Sequence, residues 1–372
     1  MLGLSSGTSA DGLDLALIRI SGCGLKRRVD FVAGEIARLK DETKAAIRSA
    51  CEWNISDYAH WNFKLAEEFS DLALAFLIRH EVRLSELDLV GSHGQTIFHH
   101  DGHPSEGTLQ IADAAILANR LRSVVVADFR WSDLAAGGQG APISPFADWV
   151  LHHDAAERLA VLNLGGLTNL TLLEGSQPPR AWDCGPANGP LDALVQDSSL
   201  PIEFDQDGKL ALNGQVLPEL LHALTRDPFF LRPLPRSTGL ERFGRPFLSQ
   251  LKELAPKASL EDLLRTCCAL SAWAVADSLK MALRTSAEKV SFPIYLCGGG
   301  AHNPALRLEL AQALPSADWR NYSELDGNAD LREAQAFALL ADACYLGEIS
   351  AWPSTTGAKE PIILGKIVPA PI

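Results

Sequence analysis

The sequence predicts an α/β protein of two domains, and three observations support that prediction. The chain has 372 residues, more than a single compact core usually contains. Strand-like and helix-like patterns alternate along both halves of the chain. Each half also begins with the same unit, at residues 2–20 and 159–173: an apolar strand, a turn of Gly, Ser, Thr or Asn, and a second apolar strand. We expect two hairpins with polar tips, one in each domain.

The first domain is predicted over residues 1–145. Its segments are, in order, the strand-like LDLALIRI (13–20) and VDFVAGEIA (29–37), a helical pattern over 41–80, and the strand-like LDLVGSHG, LQIA and SVVVADF. This rhythm is typical of an α/β domain.

The second domain is predicted over residues 146–372. It begins with LAVLNLGGLTNLTLL (159–173) and AWDCGPANGPLDALV, continues through helical patterns near 213–226 and 259–285 and the strand VSFPIYLCGGG, and closes with a helix starting close to Leu331. The final helix is a candidate to cross back to the first domain, so one domain boundary in the sequence describes the division only approximately.

Composition restricts the class of partner. The formal net charge of -13, with Lys and Arg scattered along the chain, argues against a nucleic-acid-binding surface. No apolar run is long enough for a membrane span, and residues 1–20 lack the features of a secretory signal. The 7 cysteines include no CxxC pair, which favours reduced thiols. We therefore expect a cytoplasmic protein that binds small molecules.

The first glycine loop, GTSADGLD, has the composition of a phosphate cradle. Its glycines let backbone N–H groups face an anion, its hydroxyls add donors, and Asp11 and Asp14 are candidate ligands for hydrated Mg²⁺. The loop consists of Gly7, Thr8, Ser9, Ala10, Asp11, Gly12, Leu13 and Asp14. An ordinary hairpin turn explains the same letters equally well when the loop is taken alone.

Two further glycine loops extend this pattern. NLGGLTN contains Gly165 and Gly166 and offers the same backbone donors without the acids. CGGGAHN contains Gly298, Gly299, Gly300 and Asn303 and lies between an apolar strand and a helical segment, where a flat ligand can approach the backbone. In this order, the three loops suit a nucleotide whose phosphates lie at the hairpins and whose base lies at the third loop.

Competing motifs are absent or out of context. The chain contains neither GxxxxGK[ST] nor a GxGxxG after a first strand. GLSSG (3–7) satisfies the GxSxG nucleophile elbow with Ser5, but only two residues precede it and an elbow serine follows a full strand. His99, His100 and His103 are a possible metal group, although a solvated loop is the more economical interpretation.

Asp183 in AWDCGPAN is the candidate general base, since a phosphoryl transfer to a hydroxyl needs a carboxylate after a strand of the second domain. An N-cap of the following helix is the structural alternative. Polar loops in the first domain, GSHGQTI (91–97) and ADFRWSDLAAGGQGAP (127–142), are candidates for sugar recognition. Within them Arg130 suits a substrate carboxylate, or a salt bridge to Asp128 or Asp133.

Nine motifs in order resemble the anhydro-N-acetylmuramic acid kinase family. They are SGTSADGLD (6–14), GSHGQT (91–96), VADFRWSDLAAGGQGAP (126–142), NLGGLTN (163–169), DCGPAN (183–188), STGLERF (237–243), CGGGAHN (297–303), EAQAFALLA (333–341) and TGA (356–358). The chain departs from the family pattern at Ser5, where Met is usual, at Ala112, where Gly is usual, and at Leu240, where a basic residue is usual.

The resemblance implies an actin-like ATPase (ribonuclease H-like) fold with a central cleft, and an ATP- and Mg²⁺-dependent kinase of cell-wall recycling. Its reaction opens 1,6-anhydro-N-acetylmuramic acid with water and phosphorylates O6, giving N-acetylmuramic acid 6-phosphate. The resemblance also implies that Thr96, Arg130, Asp183 and Glu333 contact the sugar and that the protein is a homodimer. A non-catalytic sugar or nucleotide sensor with the same fold is the alternative.

Overall fold

The computed structural model describes residues 1–7, 12–99, 107–325 and 328–371. The strands in chain order are β1 (Leu2–Ser6), β2 (Gly12–Ser21), β3 (Arg28–Arg38), β4 (Leu89–His99), β5 (Thr108–Ile111), β6 (Val124–Ala127), β7 (Leu159–Leu164), β8 (Leu167–Leu173), β9 (Arg180–Pro186), β10 (Pro293–Cys297), β11 (Asp318–Asn321) and β12 (Lys366–Val368). The helices are α1 (Asp41–Arg48), α2 (Ile55–Arg79), α3 (Ala114–Leu121), α4 (Phe129–Ala135), α5 (Pro145–His152), α6 (Asn188–Gln196), α7 (Lys209–Asn213), α8 (Pro218–Leu224), α9 (Leu240–Phe243), α10 (Arg245–Leu254), α11 (Leu260–Leu283), α12 (Pro304–Ala313), α13 (Arg332–Leu346) and α14 (Pro353–Thr356). The predicted α/β class is confirmed.

The chain packs as two compact units. One contains Met1–Leu151 together with Asp330–Ile372, and the other contains His152–Ala329. The sequence-based boundary at residue 145 lies shortly before the observed division, and the segment from residue 330 onward packs with the first unit. The helix α13 accounts for this, because it lies against strands β1, β2 and β4.

The sheet of the first unit has the order β12-β6-β4-β1-β2-β3, and β5 pairs with β4. Strands β1, β2 and β3 form consecutive antiparallel hairpins. Strand β4 is parallel to both β1 and β6. The short β12 closes the far edge in antiparallel pairing with β6.

The sheet of the second unit repeats this arrangement. Its order is β11-β10-β7-β8-β9, with β7, β8 and β9 antiparallel and β10 and β11 added in parallel. The ribonuclease H-like fold has this strand order: three antiparallel strands come first in the chain, and two parallel strands are then added beside the first of them. Actin-like ATPases contain this fold twice. The two predicted hairpins are thus confirmed as β1–β2 and β7–β8.

Two glycines allow α13 to lie directly on the first sheet. A Cβ atom at Gly3 would be 1.8 Å from the carbonyl oxygen of Ala334, and one at Gly91 would be 2.0 Å from that of Phe337. Such overlaps cannot be relieved by a side-chain movement, since the facing atoms are backbone. The close approach fixes the start of α13, and with it the position of Glu333.

The predicted helical pattern over 41–80 is interrupted. Helix α1 ends at Arg48, a short 3₁₀ turn follows, and α2 begins at Ile55. Asn54 caps α2 by accepting hydrogen bonds from the backbone N–H groups of Ser56 (2.7 Å) and Asp57 (3.1 Å). The apolar periodicity did not reveal this break because it continues on both sides.

Each unit has its own apolar core. In the first unit, one cluster packs α2 and α3 on one face of the sheet, and another packs α5 and α13 on the opposite face. In the second unit, Trp182 and the phenylalanines around residue 230 pack with α11. Burying each such large side chain stabilises the fold by about 1.5–3 kcal/mol. Among the described residues, no helix has the length and hydropathy needed to span a membrane.

Candidate functional site

The ends of the first glycine loop are held by a buried glutamine of β4. The Oε1 atom of Gln95 accepts a hydrogen bond from Ser6 Oγ at 2.6 Å, and its Nε2 atom donates to the carbonyl oxygen of Gly7 at 3.1 Å. Ser6 Oγ also donates to the carbonyl oxygen of Gly12 at 3.2 Å. Gln95 therefore holds Ser6 and Gly7 at the start of the loop, and Ser6 connects them to Gly12 at its end. The role of the GSHGQTI segment in sugar recognition stays a prediction.

Four residues of that loop, Thr8, Ser9, Ala10 and Asp11, lie outside the described residues, as do His100 and His103. Of the others, Gly12 starts β2 where a Cβ atom would lie 2.9 Å from the carbonyl oxygen of Ala37, so a larger residue does not fit there. Leu13 is buried in the core. The predicted nucleotide-binding and metal-binding roles of the loop stay predictions.

Three carboxylates lie close together where β2 meets the start of α13. Burial, and then the charges of Glu333 and Asp330, raise the pKa of Asp14 to about 7. Ser5 Oγ donates to Glu333 Oε2 at 3.4 Å. Ser5, in β1, is therefore a neighbour of Glu333, in α13, and it is not the serine of a nucleophile elbow. Among the described residues, no group of three or more His, Cys, Asp or Glu side chains has metal-site geometry.

Arg130 is oriented by a neutral histidine. Its Nε atom donates to His93 Nε2 at 3.1 Å, and its Nη1 atom donates to the carbonyl oxygen of Gly140 at 2.7 Å. Burial lowers the pKa of His93 well below its ordinary value, and Arg130 and His99 lower it further. The ring of His93 stacks on Phe337 at 4.5 Å between centroids. These contacts set the plane of the guanidinium.

The two acids flanking Arg130 have other contacts. Asp128 pairs with Lys366 at 2.9 Å. Asp133 accepts hydrogen bonds from the backbone N–H of Gly140 at 2.7 Å and from Thr356 Oγ1 at 2.5 Å. Asp133 therefore shapes the GGQGAP turn and ties it to the TGA motif near the C-terminus.

Thr96 lies on β4 opposite Gln110 of β5. Its Oγ1 atom accepts a hydrogen bond from Gln110 Nε2 at 3.4 Å, and the same Nε2 atom donates to Thr108 Oγ1 at 2.7 Å. Thr96 and Arg130 thus both belong to the first unit, at the carboxyl-terminal ends of its parallel strands.

Asp183 lies within β9 and is 8% exposed. Its neighbours Trp182 and Cys184 belong to the core of the second unit, so the carboxylate faces away from that core. Its Oδ2 atom accepts a hydrogen bond from the backbone N–H of Thr238 at 2.8 Å. Helix α6 begins only at Asn188, with Ala187 as its N-cap, so the alternative of Asp183 as a helix cap is wrong.

A buried arginine supports the backbone around Asp183. Arg236, 2% exposed, donates to the carbonyl oxygens of Asp183 (3.3 Å), Cys184 (3.4 Å) and Phe230 (2.8 Å). Its own carbonyl oxygen accepts a hydrogen bond from the N–H of Asp183 at 2.8 Å. Burial lowers the pKa of Arg236, while the charges of Cys184, Asp277 and Asp183 act in the opposite direction. Arg236 was not predicted from the sequence, where its only signal is its position before the STG motif.

The second and third glycine loops pack against each other in the second unit. The carbonyl oxygens of Gly165 and Gly166 accept hydrogen bonds from N–H groups at the start of α6, including that of Asn188 at 2.9 Å. Gly298 has a φ of 79°, and a Cβ atom there would lie 2.6 Å from Asn163 Oδ1. Only glycine tolerates both that backbone angle and that approach.

The third loop borders a cavity of about 360 Å³. Gly299 and Asn303 line it, and Asn303 also caps α12 through Oδ1. Their nucleotide role stays a prediction. The other wall was not predicted from the sequence. It is formed by Asn188, Leu191, Asp192, Phe204, Asp205, Gln206, Asp207 and His302. Phe204 is 55% exposed, and burial raises the pKa of Asp192 to about 6. An exposed aromatic ring beside a glycine turn suits a flat, apolar ring system.

Two ribonuclease H-like units with glycine-rich hairpins place the chain in the class of actin-like α/β folds. The model of the family described as anhydro-N-acetylmuramic acid kinase matches residues 1–370, and the chain belongs to that family.

Relatives of that name match over nearly the whole chain. The protein from Caldanaerobacter subterraneus subsp. tengcongensis is 36% identical, covering 99% of this chain and 96% of the relative. The protein from Pseudomonas syringae pv. tomato is 37% identical, covering 99% of each. The protein from Bacillus cereus strain AH820 is 33% identical, covering 100% of this chain and 99% of the relative.

Proposed function

We propose that this protein is an ATP-dependent kinase that opens 1,6-anhydro-N-acetylmuramic acid with water and phosphorylates O6, giving N-acetylmuramic acid 6-phosphate and ADP. The observation that carries the proposal is the family match over residues 1–370, in a chain that has Asp183 in its DCGPAN motif. The reaction belongs to cell-wall recycling and amino-sugar catabolism.

Asp183 acts as the general base. Its carboxylate takes a proton from the water that attacks the anomeric carbon, the anhydro bond breaks, and O6 becomes the nucleophile for the γ-phosphorus of ATP. The hydrogen bond from the N–H of Thr238 occupies Oδ2 and restricts rotation of the carboxylate. A base held in one orientation avoids the entropic cost of finding that orientation during the reaction.

Thr96, Arg130 and Glu333 bind the sugar in this proposal. The guanidinium of Arg130 is suited to a substrate carboxylate, because planar donors match carboxylate geometry. His93 supports that role, since a neutral ring accepts a hydrogen bond from Arg130 without competing for its charge.

ATP occupies the glycine loops. We assign its phosphates to residues 7–14 and to Gly165 and Gly166, and its adenosine to the cavity beside Gly298, Gly299, Gly300 and Asn303. The exposed ring of Phe204 supports the adenosine assignment, because an adenine face packs well on an aromatic wall.

Mg²⁺ is the expected metal, with Asp11 and Asp14 as its ligands. The donor chemistry fits, since hard carboxylate oxygens suit Mg²⁺. Burial is the main cause of the raised pKa of Asp14, and the negative charges of Glu333 and Asp330, which raise it further, are ones that a divalent cation would compensate. When bound, Mg²⁺ neutralises charge on the transferring phosphates. The homodimer implied by the resemblance and the cytoplasmic location expected from the composition stay predictions.

The proposal is tested by incubating the full-length protein with ATP, Mg²⁺ and the anhydro sugar in ¹⁸O-labelled water. Mass spectrometry is expected to find one ¹⁸O atom at the anomeric hydroxyl of a 6-phosphorylated product. A phosphorylated sugar without the label would contradict ring opening by water. Binding of both ligands without ADP formation would favour the non-catalytic sensor instead.

A further inference from the structure

Asp192 is a half-buried aspartate of α6 in the wall of the cavity that Gly299 borders. Within the residues that the structure describes, its carboxylate has no hydrogen bond and no ion pair, and burial alone raises its pKa. The other two aspartates of the wall do have partners. Asp205 accepts hydrogen bonds from two backbone N–H groups of α7, at 2.8 and 2.9 Å, and Asp207 pairs with Lys209 at 3.2 Å. Because withdrawing a carboxylate from water without a new hydrogen bond is costly, Asp192 indicates a ligand that donates to it.

The rest of the wall restricts what that ligand can be. The side chains of Gln206, His302 and Asn303 supply hydrogen-bond donors, so the cavity also suits a ligand that has acceptors, such as the ring nitrogens of a base. A cation would satisfy a carboxylate too, but no group of three or more His, Cys, Asp or Glu side chains in the described ranges has metal-site geometry. A nucleoside, with acceptors on its base and hydroxyl donors on its sugar, matches both kinds of wall group.

The position of Asp192 on α6 indicates which part of a nucleotide it meets. The N–H of Asn188 donates to the carbonyl oxygen of Gly165 at 2.9 Å, and a Cβ atom at Gly299 would lie 3.6 Å from Asn188 Nδ2, so Asn188 joins the second and third glycine loops. Asp192 is four residues further along the helix, on the same side and about 5–6 Å away between Cβ atoms. With phosphates at the second loop and the base at Phe204, the ribose lies between them, beside Asp192.

We propose that the carboxylate of Asp192 accepts hydrogen bonds from the ribose hydroxyls of the bound nucleotide, so that the site distinguishes ribonucleotides from deoxyribonucleotides. This inference rests on the proposed function, which assigns adenosine to this cavity. The two neighbouring hydroxyls of ribose match an acceptor-only carboxylate, and an acidic residue also binds a ribose hydroxyl in the dinucleotide-binding α/β fold. Asp192 is then a nucleotide-binding residue that sets specificity and takes no part in phosphoryl transfer.

The test is calorimetric titration of the full-length protein at pH 8 with ATP, 2′-deoxy-ATP, 3′-deoxy-ATP and purine riboside triphosphate, which lacks the 6-amino group. We expect each deoxynucleotide to bind the unmodified protein about tenfold or more weakly than ATP, the loss that corresponds to one hydrogen bond to a charged acceptor. In Asp192→Ala, ATP should bind about as weakly as the deoxynucleotides do, because the acceptor is gone. Alanine suits a helix interior and removes a carboxylate whose ionisation burial disfavours, so the variant should fold.

Asp197→Asn is the matched control. Asp197 is the C-cap of the same helix, its carboxylate pairs with Lys252, and it lies outside the cavity wall. Its replacement should leave the preference for ATP over the deoxynucleotides unchanged.

Three results would overturn the proposal while leaving ATP binding intact. The deoxynucleotides could bind the unmodified protein as tightly as ATP does, or the preference for ATP over them could persist in Asp192→Ala. Loss in Asp192→Ala of a preference for ATP over purine riboside triphosphate, with the ribose preference unchanged, would assign Asp192 to the base. A protein that binds no ATP at all would overturn the proposed function together with this inference.

Discussion

Replacing Arg236 by lysine should reduce both the stability of the protein and its turnover. The guanidinium makes one short hydrogen bond, to Phe230 O at 2.8 Å, and four longer ones of 3.3–3.4 Å, to Asp183, Cys184, Phe229 and Arg232. A short bond from a charged donor contributes about 1.5–3 kcal/mol, and the longer ones contribute least. Lysine keeps the charge but reaches only part of this set, so we expect a loss of about 2–3 kcal/mol in the free energy of unfolding.

The effect on turnover follows from the position of Asp183. Arg236 holds the carbonyl oxygen of Asp183 with its side chain and the N–H of Asp183 with its own carbonyl group. A displacement of the base by a fraction of an ångström should lower kcat by roughly tenfold or more, with a smaller change in KM. Urea unfolding and steady-state kinetics measure the two effects.

Arg265→Lys provides the control for general destabilisation. Arg265 pairs with Glu309 at 2.7 Å in the same unit and makes no hydrogen bond to Asp183 or Cys184 among those found in the described part of the chain. Its variant should lose stability while keeping kcat. Our reasoning would be refuted by an Arg236→Lys protein that is less stable but turns over at the normal rate.

Three further predictions concern the first unit. Ala112 has a φ of 90°, which disfavours any residue with a Cβ atom, so Ala112→Gly should stabilise the protein by up to about 1 kcal/mol, and a lower melting temperature would contradict this. Asp14 has a folded-state pKa of about 7, above its unfolded value, so its ionisation costs stability as pH rises from about 4 to 7. The Asp14→Asn variant should therefore gain stability relative to the unmodified protein across that pH window. A difference in urea midpoints between the two proteins that does not change with pH would argue otherwise. Gly91→Ala places a Cβ atom 2.0 Å from the carbonyl oxygen of Phe337, so it should cost roughly 1–3 kcal/mol by pushing α13 from the sheet, and calorimetry with an unchanged transition would count against that packing.

Local patterns in the sequence were sufficient to predict the hairpins and the long helices α2, α11 and α13. Strands β1–β2 and β7–β8 were predictable because apolar alternation and turn residues act over a few positions. The break between α1 and α2, just before Asn54, was not predictable, since a capping residue inside a continuous apolar period gives a weak signal. The return of α13 to the first unit depends on contacts between residues more than 300 positions apart, such as Gly3 with Ala334.

The candidate site was predictable only in part for the same reason. Asp183 was found by its motif, but its place inside β9 depends on a register shift against β8 between Thr168 and Asn169, which no local pattern reports. The roles of Gln95 and Arg236 depend on hydrogen bonds to distant backbone groups. Phe204 and Gly299 are far apart in the sequence, so only the folded structure shows that both border the same cavity.

The central claim is that the carboxylate at position 183 is the base. The most direct measurement is the rate of sugar phosphorylation by Asp183→Asn, with sugar binding followed by calorimetry on the same sample. Asparagine can still accept the hydrogen bond from the N–H of Thr238, so the fold and the binding of the sugar should persist while the rate falls by roughly 10²–10⁴. Turnover equal to that of the unmodified protein would contradict the account.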